Sequence, residues 1–211
     1  MPISDYSEHD GLSLAALVAK GDVTPLELVD AAIERIERHN PTLNAVVYKA
    51  YDEAREAAKS PLPDGPFRGV PFLIKDLGMP VAGWPRSYGS KFAANVVDTE
   101  DGDLTARYRA AGVVPLGKTN TPEYGITGTT EGAHLGACRN PWNPNHISGG
   151  SSGGAASSVA ASSPSSSASA TWAPASNFSS TPTSASWDSR RSRSSSTSSP
   201  DHSSRVSPRK S

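Results

Sequence analysis

Apolar residues recur along the chain up to Gly154 with two alternating periods, every three to four positions in some stretches and as short continuous runs in others. Leu12 to Ala19 carries a short helical pattern that Gly21 ends. A second helix is signed by Thr24 as N-cap, Pro25 at the first helical position and Glu27 closing a capping box, with Leu26, Val29, Ile33 and Ile36 along one face. Asn40-Pro41 is expected to stop it. Leu43 to Tyr48 reads as an extended segment, Ala50 to Lys59 as a helix rich in Ala and Glu, and Pro61, Pro63, Gly65 and Pro66 as a loop. Val70-Pro71-Phe72-Leu73-Ile74 is a short apolar strand that delivers Lys75-Asp76 at its end. Asp103 to Ala111 is helical with Gly112 as its cap, Val113 to Gly117 is another strand, and Lys118 to Glu123 is the polar loop after it. Strands alternating with helices predict an α/β protein, whose chemistry belongs in loops at strand ends.

The composition changes character after this region. Every Leu, Ile and Gly lies at or before Gly154, whereas from Ala160 to Ser211 roughly two residues in five are Ser, with Pro, Ala, Thr and Arg making up most of the rest. Such a segment lacks the apolar surface to offset the entropy of ordering. Two regions are therefore expected: an α/β domain over 1–160, and a disordered, low-complexity Ser/Pro/Arg tail over 161–211. A formal net charge of -1 gives no general bias towards nucleic acid or anionic membranes. The single Cys138 excludes an internal disulfide and suits a reducing cytosol. Met1 to Asp10 has no apolar signal-type core, and no run approaches the roughly 20 apolar residues of a membrane span. A soluble, cytoplasmic protein without membrane or nucleic-acid partners is expected.

The candidate chemistry lies in Gly149-Gly150-Ser151-Ser152-Gly153-Gly154 and in Lys75. Paired glycines around two serines suit a backbone loop that presents hydroxyls at close quarters, and they also suit a flexible linker. A lysine after a strand is most often a solvated surface charge, but the apolar run before Lys75, the polar Asp76 after it and the serine–glycine loop favour an amine emerging from a buried strand. In the second case desolvation disfavours the ammonium form, and a neutral lysine takes a proton from serine without any histidine. His9, His39, His134, His146 and His202 show neither metal-ligand spacing nor a triad context, and His146 is read as structural. Nothing calls for a metal or an organic cofactor.

From Asp10 to about Ala161 the chain resembles the amidase signature family of Ser-cisSer-Lys hydrolases. The carriers are Gly69-Val70-Pro71-Phe72-Leu73-Ile74-Lys75-Asp76, Gly117-Lys118-Thr119-Asn120-Thr121-Pro122-Glu123-Tyr124, and Cys138-Arg139-Asn140-Pro141-Trp142-Asn143-Pro144 running into the serine–glycine loop. The resemblance implies an N-terminal fragment of that fold, a mixed sheet flanked by helices. It implies Lys75 as catalytic lysine and Ser151 as bridging serine in a cis peptide, with Gly149, Gly150, Ser152, Gly153 and Gly154 supporting the loop. The implied substrate is a small-molecule carboxylic amide, attacked by a second serine to form an acyl-enzyme. Oligomeric state is left open. The alternatives are a catalytically inactive truncated product and a relative of the glutamyl-tRNA amidotransferase A subunit.

The departure from the family falls on the nucleophile, whose expected position is Ala175 within Thr171-Trp172-Ala173-Pro174-Ala175. A native disordered tail, an Arg/Ser tract around Ser189-Arg190-Arg191-Ser192-Arg193-Ser194, and a reading-frame change compete as explanations. The codon table favours the third. When the last base of each codon is joined to the first two of the next, Trp172-Ala173 must give Gly, Ala170-Thr171 permits Asp and Pro174-Ala175 permits Ser. Trp187-Asp188 must likewise give Gly, followed by permitted Leu and Lys, as in the family's Gly-Leu-Lys element. Resequencing the gene is expected to find a base gained or lost between about Ala156 and Ala170. An unbroken frame with no family-like continuation in the alternative one defeats this reading.

Overall fold

A computed structural model describes residues 6–162, and the assignments made on the serine-rich segment, Ala175 included, lie outside the described residues. The α/β expectation holds. Helix α1 (Gly11–Lys20) starts where the Asp10 carboxylate accepts the Ser13 N–H and ends on Gly21 in the left-handed conformation. Helix α2 (Pro25–Leu43) opens with the full Thr24–Glu27 capping box.

Pro41 does not end α2, contrary to the sequence reading, because it sits inside the last turn and the helix continues to Leu43. The end is made instead by Asn44, in the left-handed region at φ 48°, whose N–H bonds the Asn40 carbonyl. Asn40 completes the stop with its side chain, accepting from the Ala45 and Val46 N–H groups at 2.8 Å each and donating to the Val46 carbonyl.

Strand β1 (Val46–Lys49), helix α3 (Tyr51–Lys59), strand β2 (Pro71–Lys75), helix α4 (Asp103–Ala110) and strand β3 (Val114–Thr119) follow, then a two-residue pair, β4 (Glu131–Gly132) and β5 (Gly136–Ala137), and helix α5 (Gly153–Ser162). The main sheet has the order β1-β3-β2, with β1 antiparallel and β2 parallel to β3, so it is mixed. Central β3 is buried at every position and extends through Thr119, so Lys118 and Thr119 belong to the strand and not to the loop assigned to them from sequence. The parallel register sets Ile74 beside Lys118 and Lys75 beside Thr119, which brings both strand ends to one edge.

The predicted face of α2 and the alanines of α3 make the core. Val29, Ala32, Ile33, Ala54 and Ala58 pack on Val114 and Leu116. Removing a side chain such as Val29 or Leu116 from water stabilises the fold by about 1.5–3 kcal/mol each.

A charged cluster is buried as well. Lys118 has no exposed surface; its Nζ donates to the Pro85 carbonyl at 2.6 Å and lies 3.8 Å from both Asp76 and Asp98. Asp98 also pairs with Arg86 at 2.8 Å. Burial lowers the Lys118 pKa below the ordinary 10.5, opposed by the two carboxylates. Lys118→Met is expected to cost about 3–5 kcal/mol, since it leaves two carboxylates buried with one cation fewer. Urea unfolding of the two proteins checks this.

Candidate active site

The end of β2 carries Lys75 to the sheet edge, and the turn before α5 carries the serines. Lys75 Nζ donates to Ser151 Oγ at 2.9 Å and to Ser152 Oγ at 2.9 Å, across 76 and 77 residues of chain. The Gly150–Ser151 peptide is cis. Ser151 is half-buried and Ser152 exposed. Among the described residues no ion pair reaches Lys75. The neighbouring Asp76 turns the other way: its oxygens accept from Ser87 Oγ at 2.5 Å, from the Ser87 N–H at 3.2 Å and from the Gly89 N–H at 3.5 Å. Desolvation, uncompensated by any charge, therefore pushes the Lys75 pKa below the ordinary 10.5.

The glycines of the loop have separate reasons to be glycine. Gly149 sits at φ 79°, a backbone region that side chains disfavour. Gly153 and Gly154, assigned from sequence to the loop, form the first turn of α5. Gly154 packs directly on the end of β3: its N–H bonds the Asn120 carbonyl at 3.1 Å, and a Cβ there would fall on the Asn120 backbone N and within 2.6 Å of the Ala45 carbonyl oxygen.

Two buried threonines hold this turn. Thr121 Oγ1 donates to the Ser151 carbonyl at 3.1 Å. Thr130 Oγ1 donates to the Gly149 carbonyl at 2.8 Å and accepts from the Gly153 N–H at 3.2 Å, so one hydroxyl ties both ends of the loop. In the sequence Thr121 stands within the Gly117–Tyr124 motif and Thr130 in no motif. Neither has a local signal, because each works through contacts 19 to 30 residues away. His146 is exposed and contributes backbone bonds to the preceding turn, its N–H to the Asn143 carbonyl and its carbonyl to the Asn140 N–H. The sequence-assigned members Lys75, Ser151 and Ser152 thus meet at one point, and Gly149, Gly150, Gly153 and Gly154 frame it. Position 175 is outside the described residues.

An amine of lowered basicity against two hydroxyls is an arrangement for moving a proton between nitrogen and serine oxygen. Comparison with known proteins agrees in kind. A profile of the Amidase family matches residues 27–171. The 6-aminohexanoate-cyclic-dimer hydrolase of Paenarthrobacter ureafaciens is 43% identical over 148 residues, which make up 69% of this chain and 29% of that protein. The A subunit of glutamyl-tRNA(Gln) amidotransferase from Lachnospira eligens is 40% identical over 160 residues, 72% of this chain and 32% of that one. A solved structure of 6-aminohexanoate cyclic dimer hydrolase superposes with a TM-score of 0.68 at 42% identity, over 74% of this chain and 32% of its own. The chain thus spans about a third of the length of these relatives.

The Lys75 shift has a sign that can be tested. Below the folded-state pKa both folded and unfolded chains hold the proton, and the desolvated ammonium costs stability. Between that value and 10.5 the unfolded chain binds the extra proton, so stability rises with pH, and above 10.5 the cost is gone. Lys75→Met is therefore expected to be more stable than the parent near neutral pH, by a margin that shrinks as the pH approaches the ordinary lysine value. Urea midpoints of both proteins at about pH 7 and about pH 10 check this.

Proposed function

Since the chain belongs to the Amidase family, we propose that it carries the proton-accepting part of a site that hydrolyses carboxylic amides. In this reading Lys75 is the base and Ser151 the bridging group. The uncharged amine draws a proton through the Ser151 hydroxyl from an attacking serine. That serine adds to the amide carbonyl, the amine leaves with the returned proton, and water then clears the acyl-enzyme. The contact between Lys75 Nζ and Ser151 Oγ at 2.9 Å is the observation that carries the reading.

The attacking serine is the part that this chain as written does not supply at its expected place, Ala175. We assign residues 1–160 to the amidase domain and the serine-rich segment to a changed reading frame, so that the chain itself is inactive and the protein encoded by the restored frame is the hydrolase. A small-molecule amide in the cytoplasm is the proposed substrate setting. Among the described residues no helix is long and apolar enough to cross a membrane. The similarity to one component of an amidotransferase supports a second reading, in which the restored protein works on a tRNA-borne amide within a complex. Co-purification of partner proteins distinguishes the two.

The test is release of amine from the 6-aminohexanoate cyclic dimer and from simple linear amides, followed by mass spectrometry. The restored-frame protein is expected to turn over at least one of them, and Lys75→Ala to lower kcat by about a thousandfold or more. The chain as written is expected to show no turnover. A folded restored-frame protein inactive on every amide would sink the proposal.

A further inference from the structure

The Lys75 amine is shared between two hydroxyls at equal distance, and the family reading uses only one of them. An uncharged amine has one lone pair and two hydrogens. It accepts the proton of one hydroxyl while donating to the other, so each serine is a potential proton source. Their surroundings differ. Ser151 is half-buried, its carbonyl is pinned by Thr121, and Gly125 lies beside its side chain. Ser152 is exposed, and its carbonyl accepts the Ala156 N–H at 3.0 Å, which makes it the residue that opens the ten-residue helix α5. Its oxygen therefore lies at the positive end of the helix dipole, which favours a developing alkoxide. Solvent access, a hydrogen-bonded amine and a helix N-terminus converge on one atom.

We propose that Ser152 Oγ and Lys75 Nζ form a second nucleophilic site, a serine–lysine dyad that takes an acyl group from an activated ester without Ser151 as relay. In the step the Oγ–carbonyl carbon bond forms and the ester C–O bond breaks. The alcohol or phenol oxygen leaves with the bonding pair, and the Ser152 proton ends on the Lys75 amine. This inference shares Lys75 with the amide-hydrolase reading but requires neither a third serine nor an amide, so it applies to the chain as written.

The probe is 4-nitrophenyl acetate, with the full chain as given, release of 4-nitrophenolate followed by absorbance and the acetyl group located by peptide mass spectrometry. The expected result is a stoichiometric burst with the acetyl group on Ser152, slowed about a hundredfold in Lys75→Met and absent in Ser152→Ala. Acetyl found on Ser151, on the Lys75 amine or on a serine beyond Ser162, or no burst, overturns the dyad. A second measurement does not depend on esters. In Ser152→Cys the new thiol should be alkylated by iodoacetamide about tenfold faster than in the same variant carrying Lys75→Met, with buried Cys138 as the internal reference. Equal rates overturn the proposal. Acylation of Ser152 without amide turnover by the restored-frame protein leaves the dyad standing and removes the amide-hydrolase reading. Amide turnover without Ser152 acylation does the reverse.

Discussion

The approach of the first turn of α5 to the end of β3 is the constraint on which the site depends. Asn120 is its hub. The Asn120 carbonyl accepts the Gly154 N–H, its own N–H bonds the Ala45 carbonyl at 2.8 Å, and its side-chain amide donates to Asn44 and Gly136 carbonyls at 3.0 and 3.1 Å. One residue thereby joins the central strand, the turn after α2, the small β4–β5 pair and α5. Because Gly154 has no Cβ, the helix lies close enough for the two residues just before it to reach the end of the neighbouring strand β2. Any side chain at Gly154 would meet backbone, which cannot rotate away, so the separation of Lys75 from the serines is set by the main chain.

The two lysines at this sheet edge are handled in opposite ways, and the difference is chemical. Lys118 is the more deeply buried, yet Asp76, Asp98 and the Pro85 carbonyl surround it. Such a cluster suits a charge kept in place. Among the described residues Lys75 faces hydroxyls and no carboxylate. Asp76, next to it in sequence, alternates to the other face of the strand and spends its oxygens on Ser87, Gly89 and Lys118. A carboxylate beside Lys75 would hold its proton on; without one on that side among the described residues, burial is the dominant influence on the amine.

What the sequence discloses and what it hides follows the range of the interactions involved. Caps and strand ends are local: Thr24, Pro25 and Glu27 mark the start of α2 through contacts three residues apart, and an apolar run of five delivers Lys75. The pairing of Lys75 with the serine loop was legible only through motif resemblance, since nothing local links residues 76 positions apart. Pro41 misled because the rule that proline stops a helix concerns a lost N–H and a clash with the preceding turn, and a proline in the last turn of a helix whose end is secured by Asn40 and Asn44 is tolerated. The loop glycines were read as loop because their composition is that of a linker; the helix beginning at Gly153 is dictated by packing on Asn120, a tertiary contact that overrides poor helix propensity. Thr121 and Thr130 escaped for the same reason.

These contacts also separate two requirements of serine chemistry. Accepting a proton needs a desolvated amine and a positioned hydroxyl, and the side-chain clasps around that pair lie between Asn44 and Gly154. Supplying an attacking hydroxyl with donors for the developing oxyanion is a separate task. The approach of amine to hydroxyl is held by backbone packing and two threonine clasps. The contact between the Lys75 amine and serine oxygen is thus set among the described residues, and what that amine can activate is decided by whichever hydroxyl reaches it.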